Sequence, residues 1–151
     1  MSKPTRIIYP PIWLVIGLGV IFSLDYYLPV ARYTGQLGWV LGGISILLGL
    51  VLLIQAGGLF KQAETDLIPF KEVTTLVTSG IYAYTRNPMY LGMTLVLLGT
   101  ALTVGAASAL IVPPVFMLVI QVRFILPEEE MLFGIFAEQF VEYRKQVRRW
   151  F

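Results

Sequence analysis

Two short clusters hold most of the side chains in this 151-residue sequence that are able to do chemistry. The first is the polar stretch from Thr65 to Tyr90, TDLIPFKEVTTLVTSGIYAYTRNPMY. Ser79-Gly80 marks a turn inside it. Asn87-Pro88 reads as the start of a helix with proline in its first turn. Arg86 and Tyr90 are four apart and share a face if that helix includes both. The second cluster is Arg123 with Glu128, Glu129 and Glu130. Three consecutive carboxylates beside a long apolar run are costly unless they are paired or hold something cationic. Glu128, Leu132 and Phe136 are spaced by four, so Glu128 continues an apolar stripe, as a carboxylate facing a pocket must. Plainer accounts exist for both clusters. Tyr82, Tyr84 and Tyr90 could form an interfacial aromatic belt with Arg86 snorkelling beside them. The acids could be a helix N-terminal turn favoured by the dipole, although that leaves the one on the apolar face unexplained.

What is missing narrows the chemistry. The chain has no Cys and no His, which removes thiolate nucleophiles, disulfides, imidazole acid–base catalysis and Cys- or His-ligated metals. No metal site is expected. Gly17-Leu18-Gly19 lacks a strand–turn–helix setting and does not meet the dinucleotide-binding fingerprint. Eleven basic against nine acidic residues give +2, too weak a balance to argue for nucleic acid. Any cofactor must therefore bind between helices and the polar connection.

The elements that position these residues belong in a membrane. Hydrophobic residues make up 57% of the chain and charged residues 13%, where an ordinary soluble domain has about 25% charged. Mean hydropathy is +0.78. Crossing a bilayer takes about 20 apolar residues, and the uncharged runs place spans at about 8–28, 36–59, 87–105 and 108–126. The uncharged stretch 87–122 would make roughly 54 Å of helix, too long for one crossing. Gly105-Ala106-Ala107-Ser108 divides it, so the third and fourth spans are expected to form a tight hairpin, with Pro113-Pro114 kinking or restarting the fourth. Lys3 and Arg6 suit a signal peptide, but no small-residue cleavage site follows, so the first segment is read as a span. From 128 to 149 an amphipathic helix is expected, its stripe including Leu132, Phe133, Ile135, Phe136, Phe140 and Val147, and its basic end drawn to anionic lipid. The fold class expected is an all-α integral membrane domain over 1–151, with four transmembrane helices plus this C-terminal helix. Arg32 is the only basic residue on one side. The other ten place both termini and the polar clusters on the cytoplasmic face, at the plasma membrane if the source is bacterial.

At these clusters the sequence resembles the isoprenylcysteine carboxyl methyltransferase family and the related phospholipid N-methyltransferases. The matching segments are T-D-L-I-P-F at Thr65 to Phe70, L-V-T-S-G-I-Y at Leu76 to Tyr82 and R-N-P-M-Y at Arg86 to Tyr90. They continue with E-E-x-x-L-x-x-x-F at Glu128 to Phe136, then Phe140, Tyr143 and V-R-R-W at Val147 to Trp150. Each is weak alone; their order and spacing are specific. The resemblance implies an integral membrane enzyme that binds S-adenosylmethionine, with S-adenosylhomocysteine as product, without a Rossmann domain. It would hold the cofactor with Thr75, Leu76, Val77, Tyr82, Arg86, Asn87, Pro88, Met89, Tyr90 and Glu128. Arg123 stands near the family's substrate-orienting Arg, one residue further from the acidic pair. Many relatives have His where Asn87 stands, and Ala137 replaces a usual Gly.

The chemistry implied is in-line methyl transfer, which needs no metal and no covalent enzyme intermediate. Positioning of this kind supplies about 7–11 kcal/mol. A carboxylate acceptor is already charged and would be oriented by Arg123. An amine acceptor would need a base, for which Glu129 or Tyr90 are candidates. The expected partners are the lipid bilayer and a lipophilic small-molecule acceptor. The alternatives are a phospholipid amine N-methyltransferase of the same fold, a membrane reductase using NADPH (sterol reductases resemble this fold), and a non-enzymatic membrane scaffold.

Overall fold

The computed structural model describes residues 9–33, 35–64 and 73–151. The T-D-L-I-P-F segment, Lys3, Arg6 and the first residue of the expected first span lie outside the described residues. Among the described residues the structure is helical, with no strand and two isolated bridges. Helix α1 spans Pro10–Tyr27 and α2 spans Gln36–Gln62. A 3-10 turn at Gly80–Ala83 precedes α3, Pro88–Val104. After a 3-10 turn at Ala107–Ile111 come α4, Val112–Ile120, a π turn at Gln121–Ile125, and α5, Leu126–Phe136. Helix α6 spans Glu138–Gln146.

Among the described residues, three helical stretches are long and apolar enough to cross a membrane: Pro10–Tyr27, Gln36–Gln62 and the continuous run Ala107–Phe136. The apolar helix Pro88–Val104 is shorter, 17 residues. Along α2 the outward side chains Leu37, Val40, Leu41, Ile44, Leu47, Leu48, Val51 and Ile54 are exposed. A soluble surface does not carry an apolar face of that extent, and this is the pattern of an integral membrane protein.

Backbone contact holds α2 against α3. A Cβ on Gly42 would lie 2.6 Å from the Gly99 carbonyl oxygen, and one on Gly49 would lie 2.6 Å from that of Gly92. Each pair is spaced seven residues along its helix, two turns, so both contacts fall on one face. Where lipid supplies no hydrophobic drive, such small-residue packing does the holding. Ser45 Oγ also donates to the Leu95 carbonyl across this interface at 2.8 Å. Helix α1 lies against α3 and α4, with Ile21, Leu97, Phe116 and Ile120 in the shared core. Gly105, at φ 74°, ends α3, and the turn is tied to the first loop by Tyr33 N–H to the Gly105 carbonyl at 3.0 Å and Ala107 N–H to that of Ala31 at 2.8 Å.

The C-terminal third differs from the expected boundaries. No break falls between 126 and 128, because the helix runs on to Phe136. Pro127 lacks an N–H and crowds the carbonyl four residues back. The preceding π turn absorbs this, with Leu126 N–H bonding the Gln121 carbonyl. The break comes at Ala137, where φ is 45° and ψ is −115°. The amphipathic helix expected over 128–149 is therefore the end of α5, a sharp turn and the short α6. Of its stripe, Phe133 and Ile135 are exposed, whereas Phe140 and Val147 are buried, together with Tyr143, against Leu76, Leu132 and Phe136. Beyond α6 the chain is extended, and Arg148 bridges to Thr85.

Candidate active site

A cavity of about 430 Å³ lies where the N-terminal end of α1, the C-terminal end of α2, residues 73–90, α5 and α6 converge. Each wall has a local cause. Asn87 breaks into α3 with Pro88 at its first position, which puts Met89 and Tyr90 on the opening turn. The 3-10 turn carries Tyr82, which is buried, and Tyr143 O–H on α6 donates to the Tyr82 carbonyl at 2.7 Å. That bond pins α6 over the 3-10 turn. Burial pushes the Tyr143 phenol up to about 12 and also raises that of Tyr82, so both phenols are neutral at physiological pH.

The structure gathers most of the residues expected at a site. Thr75, Leu76, Val77, Tyr82, Arg86, Asn87, Met89, Tyr90, Glu128 and Glu129 all line the cavity. Pro88 does not; it is buried and starts the helix. Arg123 is not brought in either. It lies on the π turn, exposed, and is not among the residues that line the cavity. Its position gives no support to the expectation that Arg123 orients a substrate. Sequence reasoning missed Tyr9, Pro10 and Pro11 from the first helix, Phe60 from the second, and Met93 and Met131. No charge or polar pattern marks them; Tyr9, Pro10, Pro11 and Phe60 sit at the ends of apolar helices, and Met93 and Met131 lie within α3 and α5.

The polar geometry divides into two sets. Tyr90 O–H donates to Glu128 Oε1 at 2.6 Å, joining residues 38 apart in sequence. Glu129 accepts from Arg149 Nε at 3.0 Å and Nη2 at 2.8 Å, and Arg86 Nη2 lies 3.2 Å from its Oε1. The Arg86 and Glu129 side chains are 10% and 11% exposed. Glu129, expected as a base, is thus committed to two guanidinium groups. Burial lowers the Arg86 pKa, opposed by the Glu129 charge. Arg149 is raised by its hydrogen bonds to the same carboxylate.

Two buried nitrogens of Arg86, Nε and Nη1, have no hydrogen-bond partner. Unsatisfied buried donors on a guanidinium are costly, and these lie on a residue of the cavity wall. Among the described residues that line it, Arg86 is the only cation. The cavity thus offers donors for an anion from Arg86, a carboxylate for a cation from Glu128, and apolar walls from Phe60, Leu76, Met93 and Leu132. A ligand carrying both charges on an apolar or aromatic body fits that chemistry. Among the described residues no cluster is placed to hold a metal ion.

The phospholipid methyltransferase family model matches residues 37–139. Among curated proteins, the protein-S-isoprenylcysteine O-methyltransferase of Schizosaccharomyces pombe is 39% identical over 75 residues, covering 48% of this chain and 30% of that protein. Among solved structures, the eukaryotic intramembrane Ras methyltransferase, isoprenylcysteine carboxyl methyltransferase, superposes with a TM-score of 0.55 at 24% identity. The match covers 92% of this chain and 50% of that one, and it bears on the fold alone. The chain spans half or less of the length of these relatives.

Proposed function

Because this chain belongs to the phospholipid methyltransferase family, we propose that it is an integral membrane methyltransferase that binds S-adenosylmethionine and methylates a lipophilic acceptor. The observation that carries this reading is the charge pairing of one cavity: the unpartnered Nε and Nη1 of Arg86 and the Tyr90-supported carboxylate of Glu128. Arg86 would hold the α-carboxylate and Glu128 the α-amino group or the sulfonium charge. Thr75, Leu76, Val77, Tyr82, Asn87, Met89 and Tyr90 would enclose the remainder. When bound, the cofactor supplies an activated methyl group. The chain's own residues orient it and exclude water, and positioning alone is worth about 7–11 kcal/mol.

Two acceptor classes follow. A prenylcysteine-like carboxylate is the first, supported by the isoprenylcysteine O-methyltransferase relative. A phospholipid amine is the second, favoured by one observation. With Arg86 engaged by the cofactor, no further cation lines the cavity among the described residues to orient an acceptor carboxylate. An apolar tail would reach the site from the membrane along Met93, Ile125 and Met131. The reading takes Pro88–Val104 as the third of four crossings, paired as a hairpin with the helix that follows, in one domain over 1–151. It places the cavity end and both termini in the cytoplasm. The clustering of Arg86, Arg144, Arg148 and Arg149 at the cavity end, with Arg32 at the Gly105 end, supports that orientation.

The test is calorimetric titration of S-adenosylhomocysteine into detergent-purified protein, with NADPH as control. Saturable one-site binding of the former alone is expected. Binding of NADPH instead would move the chain to the reductase reading. A folded sample that binds neither would leave a scaffold.

A further inference from the structure

Arg149 does not line the cavity, yet it is joined to the wall through two charged side chains. Its planar fork grips both oxygens of Glu129, and Glu129 in turn holds Arg86 through Nη2. A carboxylate held by a single nitrogen can rotate about its own bonds; one held bidentately cannot. Fixing Glu129 therefore fixes which Arg86 nitrogens are spent and which remain. Nη2 is spent on Glu129, and Nε and Nη1 are left for a ligand. Two guanidinium groups about one carboxylate also leave a net positive charge beside the cavity. Arg149 alone could not supply this to a ligand, because it stands behind Glu129.

The segment that delivers Arg149 is anchored independently of that side chain. Arg86 N–H donates to the Arg148 carbonyl at 2.9 Å, and Asn87 Nδ2 donates to the Arg149 carbonyl at 2.9 Å. Trp150 Nε1 donates to Gln121 Oε1 at 2.9 Å. These bonds use backbone carbonyls and the neighbouring Trp, so truncating the Arg149 side chain leaves the strap in place.

We infer that Arg149 is a positioning residue that orients Arg86, through Glu129, for the carboxylate of the bound cofactor. The C-terminal segment is on this account a working part of the site, beyond any attraction of its basic residues to lipid. The inference rests on the proposed cofactor reading.

The test uses the full chain in detergent, wild type against Arg149→Ala and Arg149→Lys, each checked by its melting curve. Each is titrated with S-adenosylhomocysteine and with its decarboxylated analogue. Arg149→Ala is expected to weaken S-adenosylhomocysteine about tenfold, the loss of a charge-assisted hydrogen bond, and to leave the analogue unchanged. Arg149→Lys, which keeps charge but not the fork, falls between, and it carries the comparison alone if the alanine variant does not fold. Equal weakening of both ligands would make Arg149 merely structural and overturn the inference, as would unchanged affinity for S-adenosylhomocysteine. Wild-type protein that binds neither ligand would overturn the cofactor reading itself, and the inference with it.

Discussion

Tyr90→Phe removes one oxygen from the buried centre of the site and little else. Tyr90 is buried, its ring lies 6.5 Å from that of Phe124, and its hydroxyl makes the 2.6 Å bond to Glu128. Phenylalanine keeps the ring and that packing, so the change isolates the hydrogen bond. A bond to a charged group contributes about 1.5–3 kcal/mol, which corresponds to roughly 10- to 150-fold in a binding constant. If Glu128 holds the cationic part of the cofactor, its carboxylate loses its fixed orientation and S-adenosylhomocysteine binding weakens by at least about tenfold. The same variant made in a Glu128→Gln background should cost little more than Glu128→Gln alone. The assay is a double-mutant cycle by calorimetry, with melting curves to show that all four proteins fold. A coupling energy of about 1 kcal/mol or more is expected. Additive effects would refute the reasoning, because they would mean that Tyr90 does not act through Glu128.

Other outcomes follow from the same geometry. Glu128→Ala should abolish measurable S-adenosylhomocysteine binding in a protein that still melts cooperatively. Arg123→Ala should leave that affinity within about twofold, since the residue is exposed and off the cavity wall, and surface changes are usually within about 0.5 kcal/mol. Ala137→Gly should raise the melting temperature. Relieving the strained φ of 45° and ψ of −115° recovers about 1–3 kcal/mol, against about 0.4–1 kcal/mol of added unfolded-chain entropy. Gly49→Ala should lower it, because the new Cβ would meet the Gly92 carbonyl at 2.6 Å and overpacking costs about 1–3 kcal/mol.

Much of this molecule is legible along the chain because its strongest constraints are local. Lipid demands apolar residues on every outward face, so α1, α2 and the Ala107–Phe136 run declare themselves by composition. Asn87-Pro88 favours a helix start, with proline's fixed φ suited to the first turn, and that start places Met89 and Tyr90 on the opening turn. Glu128 on an apolar stripe signals a pocket because a carboxylate there needs a partner. The identity of the partner is not local: Tyr90 stands 38 residues away, and only the fold joins them. The same limit explains Arg123. A π turn and a continuous helix set its direction, and neither is visible in spacing that assumes a new helix after Pro127. It explains Arg149 most plainly. A basic cluster at a membrane surface reads as lipid attraction, since charge pattern carries no record of which carboxylate it will meet. The positive φ at Ala137 turns α6 back over the cavity, and the Thr85–Arg148 bridge lays the tail beside Arg86. Long-range backbone pairing, which no single segment encodes, decided which charges close the site.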